Sequence, residues 1–328
     1  MTVIGEQQQE RLRAALIAAF GSAETDNIAP LPGGASTAFP FRVNRGGNTY
    51  VVRLEGERSP LRNPHQYAAM AMAAEAGLAP HLYHADDGLG VAVMDFIDEK
   101  PLATYPGGSA GLAQGVGGLI DSLQSSPVFP RFLDYTDMVG RLWAYVCGTG
   151  LFAGGVLDKV TARLARVRKA FDAGSARSIA SHNDLLPRNL LFDGTRLWLI
   201  DWESAYANDP HIDIATALDN FAPDHGCAEL LQQAAGAHWP DRVDPTRLAL
   251  ARALVRLYYA GVLLSAAFAA LGPLEDRNLA APTADAFERG VRLGGMRLDA
   301  PETKYMLGKV FLASFMTGAP PPRLSGSQ

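Results

Sequence analysis

Asp193-Gly194, a strong two-residue hairpin signal, separates the short apolar runs 189–192 and 197–200 within a stretch whose periodicity is otherwise helical. A hairpin inside a helical region needs a reason, and its flanks supply one. His182-Asn183-Asp184 and Asn189 lead into it, and Asp201-Trp202-Glu203 follows it. Such polar residues are costly to place beside apolar strands. Asp184 and Asp201, two carboxylates, and the carboxamide of Asn189 converge there.

The period of the apolar residues divides the rest of the chain. Residues 6–20 place Leu12, Ala15, Leu16 and Ala19 at helical spacing and end at Gly21, a helix stop. Strand-like runs at 27–31, 38–45 and 49–54, broken by Pro32-Gly33-Gly34 and Gly46-Gly47, read as three antiparallel strands. A helix over 63–76 and two more strands, 81–85 and 91–97, complete a five-stranded sheet with one inserted helix. Past Lys100 the pattern is helical, with Gly/Pro breaks at 106–108, 127–130 and 148–155 and helices around 212–221, 245–271, 283–293 and 302–316. The expected fold is α+β. Residues 1–96 form a small five-stranded antiparallel N-terminal lobe, 97–319 a larger, mostly helical C-terminal lobe, and 320–328 a disordered tail.

Composition narrows the function classes. The 328 residues carry 29 Lys+Arg against 34 Asp+Glu, a formal charge of -5, with no Lys/Arg-dense block. The electrostatic footprint of a nucleic-acid binder is missing. No unbroken apolar run approaches the ~20 residues of a membrane span, and the first ten residues do not read as a signal peptide, so the expected compartment is the cytoplasm. Cys147 and Cys227 lie far apart without a CxxC partner and read as buried thiols. The patterns GxxxxGK[ST] and GxGxxG after a strand do not occur, which excludes a Walker-type ATPase and disfavours a dinucleotide fold; His182 and Asp184, alternate residues on one loop, do not by themselves form a hydrolase triad.

In phosphoryl transfer, a loop Asp accepts the proton of the acceptor hydroxyl. An Asn five residues later and an Asp beyond a short hairpin hold Mg²⁺ against the phosphates. Asp184, Asn189 and Asp201 have that spacing, and oxygen ligands suit Mg²⁺. Residues 1–99 contain no lysine and the third strand ends in Val51-Val52-Arg53. Arg53 is therefore the cation on that strand for phosphate oxygens, two of which a guanidinium can take at once. The small residues of Pro32-Gly33-Gly34-Ala35-Ser36-Thr37 permit backbone N–H groups to approach a phosphate, although such a turn alone is also an ordinary hairpin turn.

The runs Ser181-His182-Asn183-Asp184-Leu185-Leu186-Pro187-Arg188-Asn189, Leu199-Ile200-Asp201-Trp202-Glu203 and Asn208-Asp209-Pro210-His211-Ile212-Asp213 resemble the choline/ethanolamine kinase and aminoglycoside phosphotransferase superfamily, the choline-kinase-like branch most closely. The resemblance extends to Gly33-Gly34-Ala35-Ser36, Tyr50-Val51-Val52-Arg53 and Gly77-Leu78-Ala79-Pro80, and covers roughly residues 27 to 220 in order. It implies a two-lobed protein-kinase-like fold. It also implies transfer of the ATP γ-phosphoryl group to a hydroxyl of a small-molecule acceptor, with ATP and Mg²⁺ as cofactors. Choline or ethanolamine is the leading acceptor. An aminoglycoside, thiamine or sugar kinase, or a kinase-fold protein that only binds, are the alternatives, and the expected assembly is a monomer or homodimer.

Residue by residue, the resemblance makes Asp184 the catalytic base, assisted by Arg53, and makes Asn189 and Asp201 the magnesium ligands. Gly33, Gly34 and Ser36 would face the phosphates, and adenine would dock against Met94-Asp95-Phe96-Ile97, with Asp95 and Ile97 as contacts. Asp213 would brace the catalytic loop. Glu203 would stand behind the metal, meet a cationic acceptor, or cap local structure. Related proteins place a Glu in the first half of the inserted helix, where this chain reads His65-Gln66-Tyr67-Ala68. Gln66 is the nearest equivalent, and its neutral amide would orient Arg53 without neutralising it. A quaternary ammonium is held by aromatic faces, for which Trp202, Tyr206, Tyr258 and Tyr259 are the acceptor-site candidates, with core packing as their other reading.

Overall fold

The computed structural model describes residues 5–31, 38–58, 62–174, 177–238 and 243–323. Strands β2 (Phe39–Arg45) and β3 (Asn48–Leu54) pair residue by residue around Gly46-Gly47. Both glycines have positive φ, the conformation that a two-residue turn of this kind demands. With β1 (Asn27–Pro30), β4 (Leu82–Asp86) and β5 (Val91–Asp95) they form an antiparallel sheet of order β1-β2-β3-β5-β4.

Helix α1 (Glu6–Phe20) closes one face of this sheet, packing Leu12 and Leu16 against Phe41, Val43, Val52 and Leu54. Because side chains alternate along a strand, Arg53 lies on the opposite face from Val52 and Leu54, toward the helical lobe. Helix α2 (Gln66–Glu75) places Tyr67, Ala69, Met70 and Ala73 in the large core that continues into that lobe.

The helical lobe contains α3 (Gly108–Ser125), α4 (Tyr135–Gly148), α5 (Asp158–Ala173), α6 (Pro210–Phe221), α7 (His225–Ala235), α8 (Pro245–Leu271), α9 (Ala284–Arg292) and α10 (Pro301–Thr317). Asp209-Pro210 and Asp244-Pro245 start α6 and α8, the carboxylate accepting from the first backbone N–H groups and the proline at a position whose N–H would have no helical partner. The hairpin β7 (Leu190–Phe192) and β8 (Leu197–Leu199) is stitched to the small lobe and the linker: Leu199 N donates to Leu78 O at 2.9 Å and Lys100 N to Phe192 O at 2.7 Å. That is why two strands sit among helices.

Some features depart from expectation. The strands β6 (Ile179–Ser181) and β9 (Tyr206–Asn208) pair antiparallel, and α7 is a helix whose buried stripe is only Cys227, Leu231 and Ala235. Cys147 is exposed and only Cys227 is buried. The segment expected to begin a disordered tail is anchored through residue 323. Pro321 and Pro322 are buried, Arg323 N donates to Glu288 Oε1 at 2.7 Å and its guanidinium to Ala222 O at 3.0 Å. Residues 324–328 lie outside the described residues. Helix α8, 27 residues, is long and apolar enough by length and composition to cross a membrane, although Arg247, Arg252 and Arg256 break its apolar run. In the fold it packs against α4, α5, α6 and α10.

Candidate active site

The segment after β6 is fastened from several sides. His182 N and Asn183 N donate to the two carboxylate oxygens of Asp213 at 2.9 and 2.7 Å. Asp213, wholly buried on α6, accepts these bonds at the cost of a carboxyl whose pKa burial pushes upward. Asn183 adopts φ 64°, donates to Ser204 O at 2.8 Å and accepts from Asn208 Nδ2 at 2.7 Å. The His182 ring has Nε2 2.9 Å from Ile200 O, which ties the loop to the strand end beyond the hairpin. The brace expected of Asp213 is therefore what its geometry supplies.

On this scaffold Asp184 and Asn189 come together. Asn189 Nδ2 donates to Asp184 Oδ2 at 2.8 Å and to Asp184 O at 2.9 Å, so the amide nitrogen is used internally and its oxygen is the atom left to meet a cation. Arg188 also donates to Asp184 Oδ2, at 3.2 Å. The other oxygen, Oδ1, accepts from Tyr259 Oη on α8 at 2.7 Å.

Asp201 follows β8 with φ 64° and ψ 68°, a left-handed conformation that Asp tolerates better than most residues. Burial pushes its carboxyl up to about 6; Arg53 opposes the rise, and Glu203 and Asp184 add to it. Arg53 reaches across from β3, lying 3.5 Å from Asp201 Oδ1 and pairing with Glu203 Oε1. Glu203, with Asp201 beside it, thus supplies the carboxylates that meet Arg53. Gln66 does not fill that role: it donates to Glu55 Oε1 at 2.9 Å, and Glu55 also pairs with Arg62. Among the described residues no group of three or more His, Cys, Asp or Glu is arranged to hold a metal. The hard oxygens of Asn189 and Asp201 nevertheless suit Mg²⁺, a cation that completes its shell with water and phosphate.

The expected aromatic candidates separate. Trp202, 2% exposed, packs its ring against Phe129 and His182 with centroids 6.0 and 4.8 Å apart. Tyr206, 3% exposed on β9, packs against Phe132. Both are core residues: every residue of β9 is buried, and the turn after Asp201 carries Trp202 into the large core. Tyr258 and Tyr259 instead line a cavity of about 540 Å³ that opens beside Asp184. Burial and the Asp184 charge raise both phenols, Tyr258 to about 12. Gly33, Gly34 and Ser36 lie outside the described residues. Asp95 ends β5 with its carboxylate accepting from Tyr83 Oη at 2.9 Å, and Ile97 follows in the linker to the helical lobe.

Two cavity features were not anticipated. Phe311 joins the aromatic wall, its centroid 5.9 Å from that of Tyr259. Asp219 on α6 faces the cavity with both oxygens taken by Arg252 and Arg256. The available signal was the pair of arginines four residues apart in an otherwise apolar helix, which must find a carboxylate if buried.

The family described as "Phosphotransferase enzyme family" matches residues 27–251. Protein LicA of Haemophilus influenzae is 53% identical over 38 residues, which is 12% of this chain and 14% of that protein. A choline/ethanolamine kinase family protein from Mesorhizobium loti, 24% identical, superposes with a TM-score of 0.65, covering 92% of this chain and 99% of that one. Choline kinase LicA from Streptococcus pneumoniae, 15% identical, gives 0.66 with 94% and 100% covered. At these identities the likeness is one of fold, and the fold is the two-lobed protein-kinase-like one.

Proposed function

We propose that this chain, which belongs to the phosphotransferase enzyme family, moves the γ-phosphoryl group of ATP onto a hydroxyl of a small-molecule acceptor, with choline or ethanolamine the leading acceptors. One observation carries the reading. Asp184 joins the two halves of the site, one oxygen bonded to Asn189 beside Asp201 and the other to Tyr259 on the cavity wall. A hydroxyl entering from the cavity meets the carboxylate that takes its proton, and the phosphate-facing groups stand on the other side.

Each residue has a task in this reading. Asp184 orients the hydroxyl and accepts its proton. Asn189 and Asp201 are the groups that would hold magnesium, which when bound supplies positive charge against the phosphate oxygens. Arg53 adds a second cation, kept at the site by Glu203. Tyr258, Tyr259 and Phe311 offer ring faces to an ammonium group. The alternatives within the family differ in acceptor, and the cavity speaks against a polycationic one. Its carboxylates among the described residues, Asp184 and Asp219, are engaged by Arg188 and by Arg252 and Arg256, while Arg188 and Lys304 line the wall. An aminoglycoside, with several ammonium groups, finds no matching acidic lining.

The test is magnesium-dependent ADP release from ATP in the presence of choline, ethanolamine, thiamine, aminoglycosides or simple sugars. Stimulation by choline or ethanolamine, lost in Asp184→Asn, is the expected result. Bound ATP without stimulation by any acceptor would favour the kinase-fold binding protein.

A further inference from the structure

We propose that, among the amino alcohols this site can take, it prefers over choline or ethanolamine an amphiphilic one, a hydroxyl-bearing head carried on an apolar body of several carbons; this rests on the reading of Asp184 as the base beside its cavity. The first ground is size. At about 540 Å³ the cavity lies within the roughly 300–1,000 Å³ that drug-sized ligands fill, and a molecule as small as choline or ethanolamine occupies only a part of it.

The second ground is the lining. Apart from the reactive corner at Asp184 and Tyr259, the wall is dominated by side chains such as Val255, Val262, Leu263, Ala266, Leu307 and Pro322. Water in contact with such a wall is readily displaced by an apolar group. The C-terminal segment is held against this wall by the bonds of Arg323 to Glu288 and Ala222, so Pro321 and Pro322 are a built part of the cavity.

The third ground is charge. A cationic acceptor gains little from ion pairing here, because both oxygens of Asp219 accept from Arg252 and Arg256 at distances that include 3.1 and 2.8 Å. Binding energy must then come from ring faces and apolar burial. An acceptor that supplies apolar surface in addition to one ammonium group uses what the cavity offers, whereas a polyhydroxylated sugar or a polycation does not.

The experiment uses the purified full chain and choline analogues in which one N-methyl is replaced by butyl, hexyl or octyl. ADP release with ATP and Mg²⁺ gives kcat/KM for each. The expected result is a rise of about three- to four-fold per added methylene until the cavity is filled. A kcat/KM that is flat or falls with chain length, with choline itself turned over, overturns the inference and leaves the phosphotransferase reading standing. If no analogue is turned over, that reading fails, and calorimetric titration of the same series decides the cavity alone: affinity that increases with chain length supports an apolar acceptor, and length-independent affinity overturns it. Val262→Asn places a polar group on the wall at a residue already 40% exposed. It should cut the octyl-to-methyl preference by about ten-fold, and an unchanged preference counts against this cavity as the seat of the chain.

Discussion

The two oxygens of Asp184 accept from different sides, Oδ2 from Asn189 and Arg188 and Oδ1 from Tyr259, and the residue yields two separate expectations. Replacing Asp184 with Asn removes the proton acceptor and keeps the shape, so kcat should drop by about 10²–10⁴-fold while Mg·ATP still binds in a fluorescence or calorimetric titration. Near-normal turnover would remove Asp184 from the mechanism. Tyr259→Phe deletes only the donor to Asp184 Oδ1. A hydrogen bond to a charged group contributes about 1.5–3 kcal/mol, so kcat should fall by about ten-fold or more with the KM for ATP unchanged. Tyr206→Phe is the contrasting case. Its hydroxyl is buried without a hydrogen-bond partner among the described residues, so removing it should raise stability by about 1 kcal/mol and leave kcat alone. The sequence spacing revealed Asp184, Asn189 and Asp201 because a loop and a tight hairpin keep them close in the chain. It did not separate Trp202 and Tyr206 from Tyr258 and Tyr259, because composition shows an aromatic but not whether its ring faces His182 and Phe132 or a cavity.

At the level of elements, the hairpin β7–β8 and the turn after it put Asp201 where burial and two neighbouring carboxylates make its charge costly. The sign of the pH effect follows. The carboxyl titrates near 3.8 when unfolded and at about 6 when folded, so between those values the folded chain binds more protons. Stability contributed by the protonated form is therefore present at low pH and lost as pH rises through about 6. Asp201→Asn keeps the left-handed turn, which Asn also tolerates, and removes the charge. In metal-free buffer its unfolding free energy from urea titration should exceed that of the unmodified chain above pH 6 by about 1 kcal/mol, and the advantage should vanish toward pH 4. Equal values at every pH would mean that solvent relieves the Asp201 charge. The same substitution should weaken magnesium-dependent nucleotide binding, a trade of function against stability. Elements with a wide apolar face, a helix-stop glycine or a strong turn, such as α8, α1 before Gly21 and the β2–β3 hairpin, were readable in sequence. The three-residue strands β6 and β9 were not, since their pairing joins Ile179 to Asn208 across 29 positions and so short a run carries no period. Helix α7 seats its buried stripe of Cys227, Leu231 and Ala235 where Gly117 on α3 lets it approach, since a Cβ there would meet Leu231 O at 2.4 Å, a juxtaposition of distant segments that nothing local in either helix announces.

For the whole molecule, the change from strand to helix periodicity past Lys100 was visible in the sequence, whereas the way the sheet meets the helices was not. Arg53 and Glu203 lie 150 positions apart, and nothing local marks Glu203 as the partner that replaces the expected acid on α2. Asn63 Nδ2 adds a second bridge by donating to Ala205 O at 2.7 Å. This arrangement carries a prediction about the protein as one cooperative body. Arg53 comes from the sheet lobe and Asn189 and Asp201 from the helical lobe, so a Mg·ATP complex bound by all three is bound by the native arrangement and not by the unfolded chain. Ligand at 100 times its Kd should then stabilise the fold by about 2.7 kcal/mol, which for a chain of this size corresponds to a rise in Tm of about 4 °C. Differential scanning calorimetry with ATP plus Mg²⁺, ATP plus EDTA, and Mg²⁺ alone separates the contributions. The full rise should need both components, and should shrink in Arg53→Ala and in Asp201→Ala alike although the two residues stand on different lobes. A rise of the same size with EDTA present would remove Asn189 and Asp201 from the metal role. A rise that survives in Arg53→Ala but not in Asp201→Ala would confine the nucleotide to the helical lobe.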